Sequence, residues 1–297
     1  MDKVSVVVNP NAGQQKIKEN FESISNILSD GFKQVAFYET QKEGDGTDFA
    51  QKLANDSDLI IAAGGDGTVY EVLNGLAPLK KRPAFAIIPG GTCNDFSRAI
   101  GMNQNPVKAA EQIIQKNIQE IDVGFDGSQY FLNFWGIGLI TAVSSQIEED
   151  VKSTFGRLSY YMSTLQNIKE NKSFYYEMND ATHYYSGKAE MIIIANGPFT
   201  GGVKPFLPEV NIQDGMLDVL VLKETNLSSF FSIFKKRTGM MQEKDENIIH
   251  FQTPQLSLKT SPKKLIDCDG ERYFKTPATI KAIPNHLKML AGKQLFN

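Results

Sequence analysis

Leu59-Ile60-Ile61-Ala62-Ala63-Gly64-Gly65-Asp66-Gly67-Thr68-Val69 is the stretch of this sequence that decides the fold. It begins as a continuous apolar run, which is typical of a strand buried on both faces. The run ends in a glycine-rich loop, and apolar residues then recur at helical spacing from Val69 to Leu76. A buried strand, a loop and a helix in this order predict part of a parallel sheet that is covered by helices on both faces.

The same alternation extends through residues 1–125 and predicts a doubly wound α/β domain. Further strands are predicted at Val4–Val8, Val35–Tyr38, Phe85–Ile88 and Ile118–Val123. One helix is predicted from Ile17 to Leu28, another over Phe49–Leu53, and a third from Val107 to Ile114.

The second half of the chain, residues 126–285, predicts an all-β domain, most simply a β-sandwich. The pattern changes near Gly124–Gln129, and helical stretches are predicted only near Leu158–Ile168 and Leu227–Phe234. Short β-like runs separated by turns are found at Tyr130–Ile137, Phe174–Met178, Met191–Ala195, Leu217–Leu222, Ile248–Phe251, Leu256–Leu258, Lys264–Asp267 and Thr279–Ile283.

The composition excludes several classes of protein. Of the 297 residues, 41% are hydrophobic and 22% are charged, which excludes a disordered tail, a collagen-like repeat and a disulfide-stapled mini-domain. Lys and Arg number 31 against 34 Asp and Glu, a formal charge of −3, so we expect no nucleic-acid partner. The two cysteines, Cys93 and Cys268, form no disulfide framework and suit a reducing compartment.

The distribution of apolar residues predicts a cytoplasmic protein. The N-terminal run Val4–Val8 is too short for the apolar core of a signal peptide. No apolar run approaches the length of a membrane-spanning helix. Association with a membrane surface stays open at this point, and so does the oligomeric state, a homodimer included.

The loop around Asp66 predicts a phosphate site. Glycines let the backbone come close to a ligand, and the N-terminus of a helix offers free N–H groups and partial positive charge to an anion. Because a carboxylate repels a bare phosphate, Asp66 makes most chemical sense if it binds Mg²⁺ or a ribose hydroxyl. The alternative is a tight turn in which Asp66 only caps a helix.

Two further loops end strands at the same predicted edge of the sheet, Asn9–Gly13 and Pro89–Phe96. Asp66, Asp95 and Asp122 fall at or near this edge and could place a metal ion beside the phosphates of a nucleotide. Taken alone, Asp122 is equally explained as a turn residue before Gly124. The sequence has neither a Walker-type loop nor a Gly-x-Gly-x-x-Gly motif after the first strand, and its three histidines are scattered.

Taken together, these and other motifs resemble the diacylglycerol kinase catalytic-domain family, in particular bacterial lipid kinases of the YegS/BmrU/DgkB type. They keep the family order and extend over nearly the whole chain. The matching stretches are Asn9–Gly13, Gly64–Thr68 with Glu71–Gly75, Pro89–Arg98, Asp214–Leu217, Asp269–Glu271 and Pro284–Leu287.

The resemblance implies an ATP-dependent kinase with an N-terminal domain similar to those of NAD kinases and phosphofructokinases. The active site is then expected in a cleft between this domain and the β-sandwich, with residues 286–297 returning to the first domain. The nucleotide contacts implied for this sequence are Asn9, Pro10, Asn11, Ala12, Gly13, Thr40, Gly64, Gly65, Asp66, Gly67, Thr68, Val69, Tyr70, Glu71 and Thr92.

The resemblance also implies the catalytic groups. Glu271 is expected to be the general base, with Asp66 and Asp95 at the phosphates and Mg²⁺ held by Asp66, Asp95 and Asp122, directly or through water. A second, structural Mg²⁺ is expected at Asp214 with the backbone carbonyls of Asn211 and Met216. Read without the resemblance, Glu271 is more simply a carboxylate at the tip of an Asp-Gly hairpin.

The implied acceptor is diacylglycerol or a related lipid, which gives phosphatidic acid or its analogue in phospholipid metabolism. Such an enzyme needs peripheral contact with a membrane, and the segment Phe230–Arg237 joins an aromatic cluster to three cations. The alternative for this segment is a helix that packs on the core. Two other functions stay open, a kinase for a soluble acceptor such as NAD and a catalytically silent protein that binds nucleotide or lipid.

Overall fold

The structure is a computed structural model that describes residues 1–13, 15–144, 173–202, 210–223, 247–272 and 274–292. The predicted helical stretches Leu158–Ile168 and Leu227–Phe234 and the whole of the segment Phe230–Arg237 lie outside the described residues. Among the helices of the described ranges, none is long and apolar enough to cross a bilayer.

The secondary structure follows the two patterns found in the sequence. The α/β part has β1 (Lys3–Val8), α1 (Lys16–Glu19), α2 (Phe21–Gly31), β2 (Gln34–Glu39), α3 (Asp45–Leu53), β3 (Leu59–Gly64), α4 (Asp66–Leu76), β4 (Ala84–Pro89), α5 (Asp95–Ala99), α6 (Pro106–Ile113) and β5 (Ile118–Phe125). The β-rich part has β6 (Tyr130–Phe131), β7 (Phe134–Gly138), α7 (Leu139–Ser144), β8 (Phe174–Asn179), β9 (Tyr184–Ala189), β10 (Met191–Ala195), β11 (Leu217–Leu222), β12 (Ile248–Thr253), β13 (Gln255–Ser261), β14 (Ile266–Cys268) and β15 (Ala278–Leu290).

The chain divides into two compact units. The first unit comprises Met1–Val123 and the segment that begins at Pro284, and the second comprises Gly124–Ile283. Both predicted fold classes, a parallel α/β domain and a β-sandwich, are confirmed.

The first unit contains a parallel sheet with the strand order β2-β1-β3-β4. Every residue of β3 and β4 is buried, which explains why these strands are apolar along their whole length. The C-terminal part of β15 pairs in parallel with β4, through Met289 and Phe85. The ends of β1, β3 and β4 therefore lie side by side at the carboxyl edge of the sheet.

The single helix predicted from Ile17 to Leu28 is wrong, because the structure has two helices that break at Asn20. The Asn20 side-chain amide donates a hydrogen bond to the carbonyl of Lys16 at 2.8 Å. A side chain that binds its own helix in this way competes with helical continuation.

The second unit contains two antiparallel sheets. One has the order β12-β11-β10-β7-β14, and the other joins the N-terminal part of β15 to β13, β8 and β9. Tyr185 of β9 stacks on Phe251 of β12 with 4.4 Å between ring centroids, so the edge strands of the two sheets are in contact.

Two details of this unit differ from the sequence prediction. The strand predicted over Tyr130–Ile137 is divided at Leu132–Asn133, where the backbone N–H groups bind the carboxylate of Asp269 instead of a neighbouring strand. Strand β9 was not predicted, because its sequence, Tyr-Tyr-Ser-Gly-Lys-Ala, is largely polar.

The segment after Pro284 is fixed to the first unit by several hydrogen bonds. The N–H of Asn285 donates to a carboxylate oxygen of Asp122 at 2.8 Å, and His286 Nε2 lies 2.9 Å from the carbonyl oxygen of Ala77. Burial lowers the pKa of His286 from its ordinary value of 6.5, although the Ala77 hydrogen bond opposes this.

We predict that the first unit loses stability as the pH falls below 6.5. Since the folded state lowers the pKa of His286, the unfolded chain binds the proton more tightly below this pH, and unfolding becomes more favourable. Thermal unfolding at a series of pH values between neutral and acidic should show this loss, and His286→Gln should reduce it. His183→Gln, which lies in the second unit, is the control and should not reduce the loss of stability in the first unit.

Candidate active site

Three loops meet at the carboxyl edge of the parallel sheet. They follow β1, β3 and β4, and their first residues continue the pairing of the strands: Asn9 N–H donates to Ala63 at 2.9 Å, and Gly90 N–H donates to Gly64 at 2.7 Å. Thr40, at the end of β2, donates its N–H to Val8 at 2.8 Å. The sequence-predicted residues of the first, third and fourth strands therefore lie together.

Glycine is required where these loops touch. A Cβ atom on Gly13, which has φ +53°, would overlap the carbonyl oxygen of Gly90. A Cβ atom on Gly91 would lie 2.6 Å from Cα of Gly65. Any larger residue at these two positions would push the loops apart.

Asp66 holds two of the loops together. Its carboxylate accepts the N–H groups of Asn94 and Asp95, each at 2.9 Å, so it caps the start of α5 while it is itself the first residue of α4. Burial raises the pKa of Asp66, and the two N–H donors act in the opposite direction. The sequence alternative, in which Asp66 caps the helix of its own loop, differs from this arrangement: Gly65 is the N-cap residue of α4, and the Asp66 carboxylate binds the start of α5 instead.

The loop after β4 is fastened by its own side chains. Asn94, with φ +51°, accepts the N–H of Gly91 and donates to the carbonyl of the same residue, both at 2.9 Å. Arg98 Nε donates to the carbonyl of Cys93 at 2.8 Å. Thr92 is exposed in this loop, where its side chain is open to contact with a ligand.

Glu71 fixes the neighbouring helix α3. Its carboxylate oxygens accept the N–H groups of Gly44 and Gly46 at 2.9 Å each, and Thr47 Oγ1 donates to its carbonyl at 2.9 Å. These bonds use N–H groups at the start of α3 that have no acceptor within the helix. Glu71, which the resemblance places among the nucleotide contacts, thus positions the chain that follows Thr40.

The donors at this edge suit a phosphate group. Gly67 is exposed in the first turn of the eleven-residue helix α4, where the N–H groups of Gly67 and Thr68 have no acceptor within the helix. By contrast, the N–H groups at the start of α5 already bind Asp66. The residues present therefore fit a nucleotide whose phosphates lie against α4.

The three carboxylates predicted to hold a catalytic metal ion do not form a ready-made group of ligands. Asp122 is buried and accepts the N–H of Asn285, and within the described ranges no three His, Cys, Asp or Glu side chains form a group that could hold a metal. A catalytic Mg²⁺ at Asp66, Asp95 and Asp122, held directly or through water, stays a prediction. The predicted structural Mg²⁺ site is equally untested: Asn211 and Asp214 accept the N–H groups of Gln213 and Met216, each at 2.9 Å.

In the second unit, Glu271 follows a two-residue β-hairpin turn. Cys268 and Glu271 exchange two backbone hydrogen bonds of 2.9 Å, and the residues between them, Asp269 and Gly270, have φ +51° and +99°. This is the backbone pattern of a type I′ turn, for which Asp-Gly is a favoured sequence.

Two carboxylates fix this hairpin to the sheet. Asp269 accepts the N–H groups of Leu132, Asn133 and Phe134 at 2.7, 3.0 and 2.8 Å. Asp267 is fully buried, accepts the N–H of Gly270 at 2.9 Å and lies 3.4 Å from Arg272 Nε. The position of Glu271 in its own unit is thus set by groups on both sides of it.

Comparison with known proteins gives one consistent result. The pattern of the diacylglycerol kinase catalytic domain matches residues 3–125, and that of the YegS C-terminal NAD kinase beta sandwich-like domain matches residues 137–291. The chain belongs to the diacylglycerol kinase catalytic-domain family. Family membership assigns it to the kinases, which transfer phosphoryl groups.

Individual relatives of the family extend over the whole chain. A protein of Staphylococcus aureus strain MSSA476 named a "putative lipid kinase" is 34% identical over 290 residues, which are 96% of this chain and 95% of that protein. A crystal structure of a "putative diacylglycerol kinase" from Bacillus anthracis str. Sterne is 39% identical, with a TM-score of 0.86 over 98% of this chain and 95% of that one. A further Bacillus anthracis structure called a diacylglycerol kinase has 35% identity and a TM-score of 0.82, and covers 98% and 97% of the two chains.

Sequence reasoning about this family member missed the residues that hold the site in place. Asp269 was matched only as part of the Asp-Gly-Glu motif, and Asn94 only as part of its loop. A signal for both existed, since Asp and Asn tolerate positive φ and bind nearby N–H groups at turns. The three partners of Asp269 lie more than 130 positions earlier in the chain and could not be found from local sequence.

We predict that the two thiols of this kinase-family member differ in reactivity. Burial, followed by the charges of Asp269, Asp126, Asp267 and Glu271, raises the pKa of Cys268 well above its usual range. Cys93 is partly exposed. Because the thiolate is the reactive form, a disulfide reagent should modify Cys93 in the native protein and Cys268 only after unfolding. Cys93→Ser should remove the native reaction, and two equally fast thiols in the wild type would contradict the assignment.

Proposed function

We propose that this protein transfers the γ-phosphate of MgATP to the hydroxyl group of diacylglycerol or a related lipid. Family membership supports phosphoryl transfer, and the names of the relatives support a lipid acceptor. One structural observation carries the residue assignment: Asp66 fixes two glycine loops beside the open N-terminus of α4, as a triphosphate site requires.

In this proposal the first unit binds and orients the nucleotide. The N–H groups of Gly67 and Thr68 hold phosphate oxygens, and Thr92 and the loop Asn9–Gly13 complete the cradle. The acceptor oxygen attacks the γ-phosphorus, the bond from this phosphorus to the bridging oxygen breaks, and ADP leaves. Glu271 accepts the proton of the attacking hydroxyl. The product is a phosphomonoester such as phosphatidic acid.

The proposal includes peripheral contact with the cytoplasmic face of a membrane, because the acceptor resides in the bilayer. It is tested by incubating the full chain with γ-labelled MgATP and diacylglycerol, monoacylglycerol, ceramide or sphingosine in detergent. NAD is the soluble acceptor in a parallel reaction. A labelled lipid supports the proposal, whereas labelled NADP, or tight ATP binding with no labelled product, overturns it.

A further inference from the structure

The three loops at the carboxyl edge of the parallel sheet supply no positively charged side chain. Neither Lys nor Arg occurs in Asn9–Gly13, Gly64–Thr68 or Pro89–Phe96. Helix α4 has no basic residue either, and Arg98 is the one basic residue of α5. Because the phosphate chain of a nucleotide is strongly negative, the position of this arginine bears directly on the site.

Two observations place the guanidinium group of Arg98 at this edge. Its Nε donates to the carbonyl oxygen of Cys93 at 2.8 Å, so the side chain turns back from α5 to the loop that carries exposed Thr92. Its charge also acts on Asp66: burial raises the pKa of this carboxyl group, and the positive charge of Arg98 is among the groups that oppose this effect. Since Asp66 is the first residue of α4, the guanidinium lies near the N–H groups that we assign to phosphate.

The guanidinium group of Arg98 has donors that the fold does not use. A guanidinium group has N–H donors on all three of its nitrogen atoms, and the bond from Nε leaves those of both Nη atoms. Among the described residues, Arg98 forms no ion pair with Asp66 or with any other carboxylate. The Asp66 carboxylate instead accepts the N–H groups of Asn94 and Asp95. Arg98 is partly exposed, so its side chain is not sealed from a ligand.

We propose that Arg98 binds oxygen atoms of the phosphate chain of the nucleotide through its Nη groups. The planar, permanently charged guanidinium group matches the geometry of phosphate oxygens better than an ammonium group does. The N–H groups of Gly67 and Thr68 supply partial positive charge, and Arg98 supplies the full charge that the loops lack. This inference rests on the proposed function for its ligand, a nucleotide with a chain of phosphates.

The alternative role for Arg98 is structural, because its bond to Cys93 also fastens the loop that contains Thr92. The two roles differ in the ligands that they affect. A loosened loop weakens the binding of every ligand of the site, adenosine included, whereas a lost phosphate contact leaves adenosine unaffected. Tripolyphosphate, which has no nucleoside, and adenosine, which has no phosphate, therefore separate the two roles.

The test measures binding of MgATP, tripolyphosphate and adenosine to the full chain by isothermal titration calorimetry. Arg98→Ala should weaken MgATP and tripolyphosphate about tenfold or more, the usual effect of losing a hydrogen bond between charged groups, and should leave adenosine unchanged. Arg98→Lys should fall between the wild type and the Ala variant, since it keeps the charge without the planar group. Added guanidinium ion should restore part of the MgATP binding to Arg98→Ala, and NaCl at the same concentration should not.

Arg82→Ala is the matched control and should bind all three ligands as the wild type does. Arg82 is also partly exposed, and its Nη1 also donates to a backbone carbonyl, that of Leu79. It precedes β4, however, and so lies at the amino edge of the parallel sheet, opposite the glycine loops.

Each outcome decides the proposal. Wild-type affinity of Arg98→Ala for MgATP, an equal loss for adenosine, or an equal loss in Arg82→Ala overturns it, as does a wild type that binds neither MgATP nor tripolyphosphate. Thermal unfolding shows whether each variant is folded, and if Arg98→Ala is not, the comparison of MgATP with adenosine in Arg98→Lys decides. If the wild type binds MgATP but phosphorylates no lipid, the proposed function fails, and these affinities still decide the role of Arg98.

Discussion

Replacing Glu271 with Gln should lower the rate of phosphoryl transfer by about 10²–10⁴-fold, the usual contribution of a general base. The amide has nearly the same shape but cannot take the proton of the attacking hydroxyl. The hairpin should survive, since its pairing uses the backbone of Cys268 and Glu271 rather than the carboxylate. Initial rates at saturating lipid should therefore fall while the KM for ATP and the melting temperature stay near the wild-type values.

Glu177→Gln provides the control, because it removes an exposed carboxylate from β8 of the same unit. It should leave the rate unchanged. Glu271→Asp should fall between the wild type and the Gln variant, since it keeps the base but moves it by one methylene group. If Glu271→Gln transfers phosphate at close to the wild-type rate, Glu271 is an ordinary hairpin residue, and the base must be sought elsewhere.

The strands of the first unit were predictable from sequence, because a strand that is buried on both faces is a nearly continuous run of apolar residues. Leu59–Ala63 and Phe85–Ile88 are apolar throughout, Val4–Val8 is apolar except for Ser5, and each lies within a strand of the parallel sheet. In such a sheet the loops after the strands must share one edge, so the meeting of the glycine loops followed from topology. Strand β9 has no such apolar run, because the side chains on one of its faces are exposed to water.

The hydrogen bonds of the candidate site were not predictable in the same way. Sequence could place Asp66 and Glu71 at the right edge, but a carboxylate there can bind a metal, a ligand or the N–H groups of another segment. The choice depends on partners such as Asn94 for Asp66 and Gly44 for Glu71, which lie about 30 positions away. Only the folded backbone shows that both carboxylates hold neighbouring helix starts.

Asp269→Ala should have the second large effect, on stability and activity together. The carboxylate accepts three backbone N–H groups at the junction of β6 and β7, and these donors would lose their partner. Because an unsatisfied donor that is shielded from water costs about 1–3 kcal/mol, we expect the free energy of unfolding to fall by about 3 kcal/mol or more. Urea denaturation followed by the fluorescence of Trp135, the single tryptophan, measures this, since Trp135 lies opposite Cys268 in the sheet.

Two comparison variants separate the causes. Asp269→Asn keeps a residue that tolerates the positive φ and one acceptor oxygen, so its loss of stability should be smaller than that of the Ala variant. Asp180→Asn is the matched control: Asp180 also accepts N–H groups of a hairpin turn, from Thr182 and His183, but in the hairpin of β8 and β9 rather than in the one that carries Glu271. If Asp269 positions Glu271, the rate should fall in both Asp269 variants under conditions where they are folded, and not in Asp180→Asn. A folded Asp269→Ala protein with the wild-type rate would show that the base does not depend on this anchor.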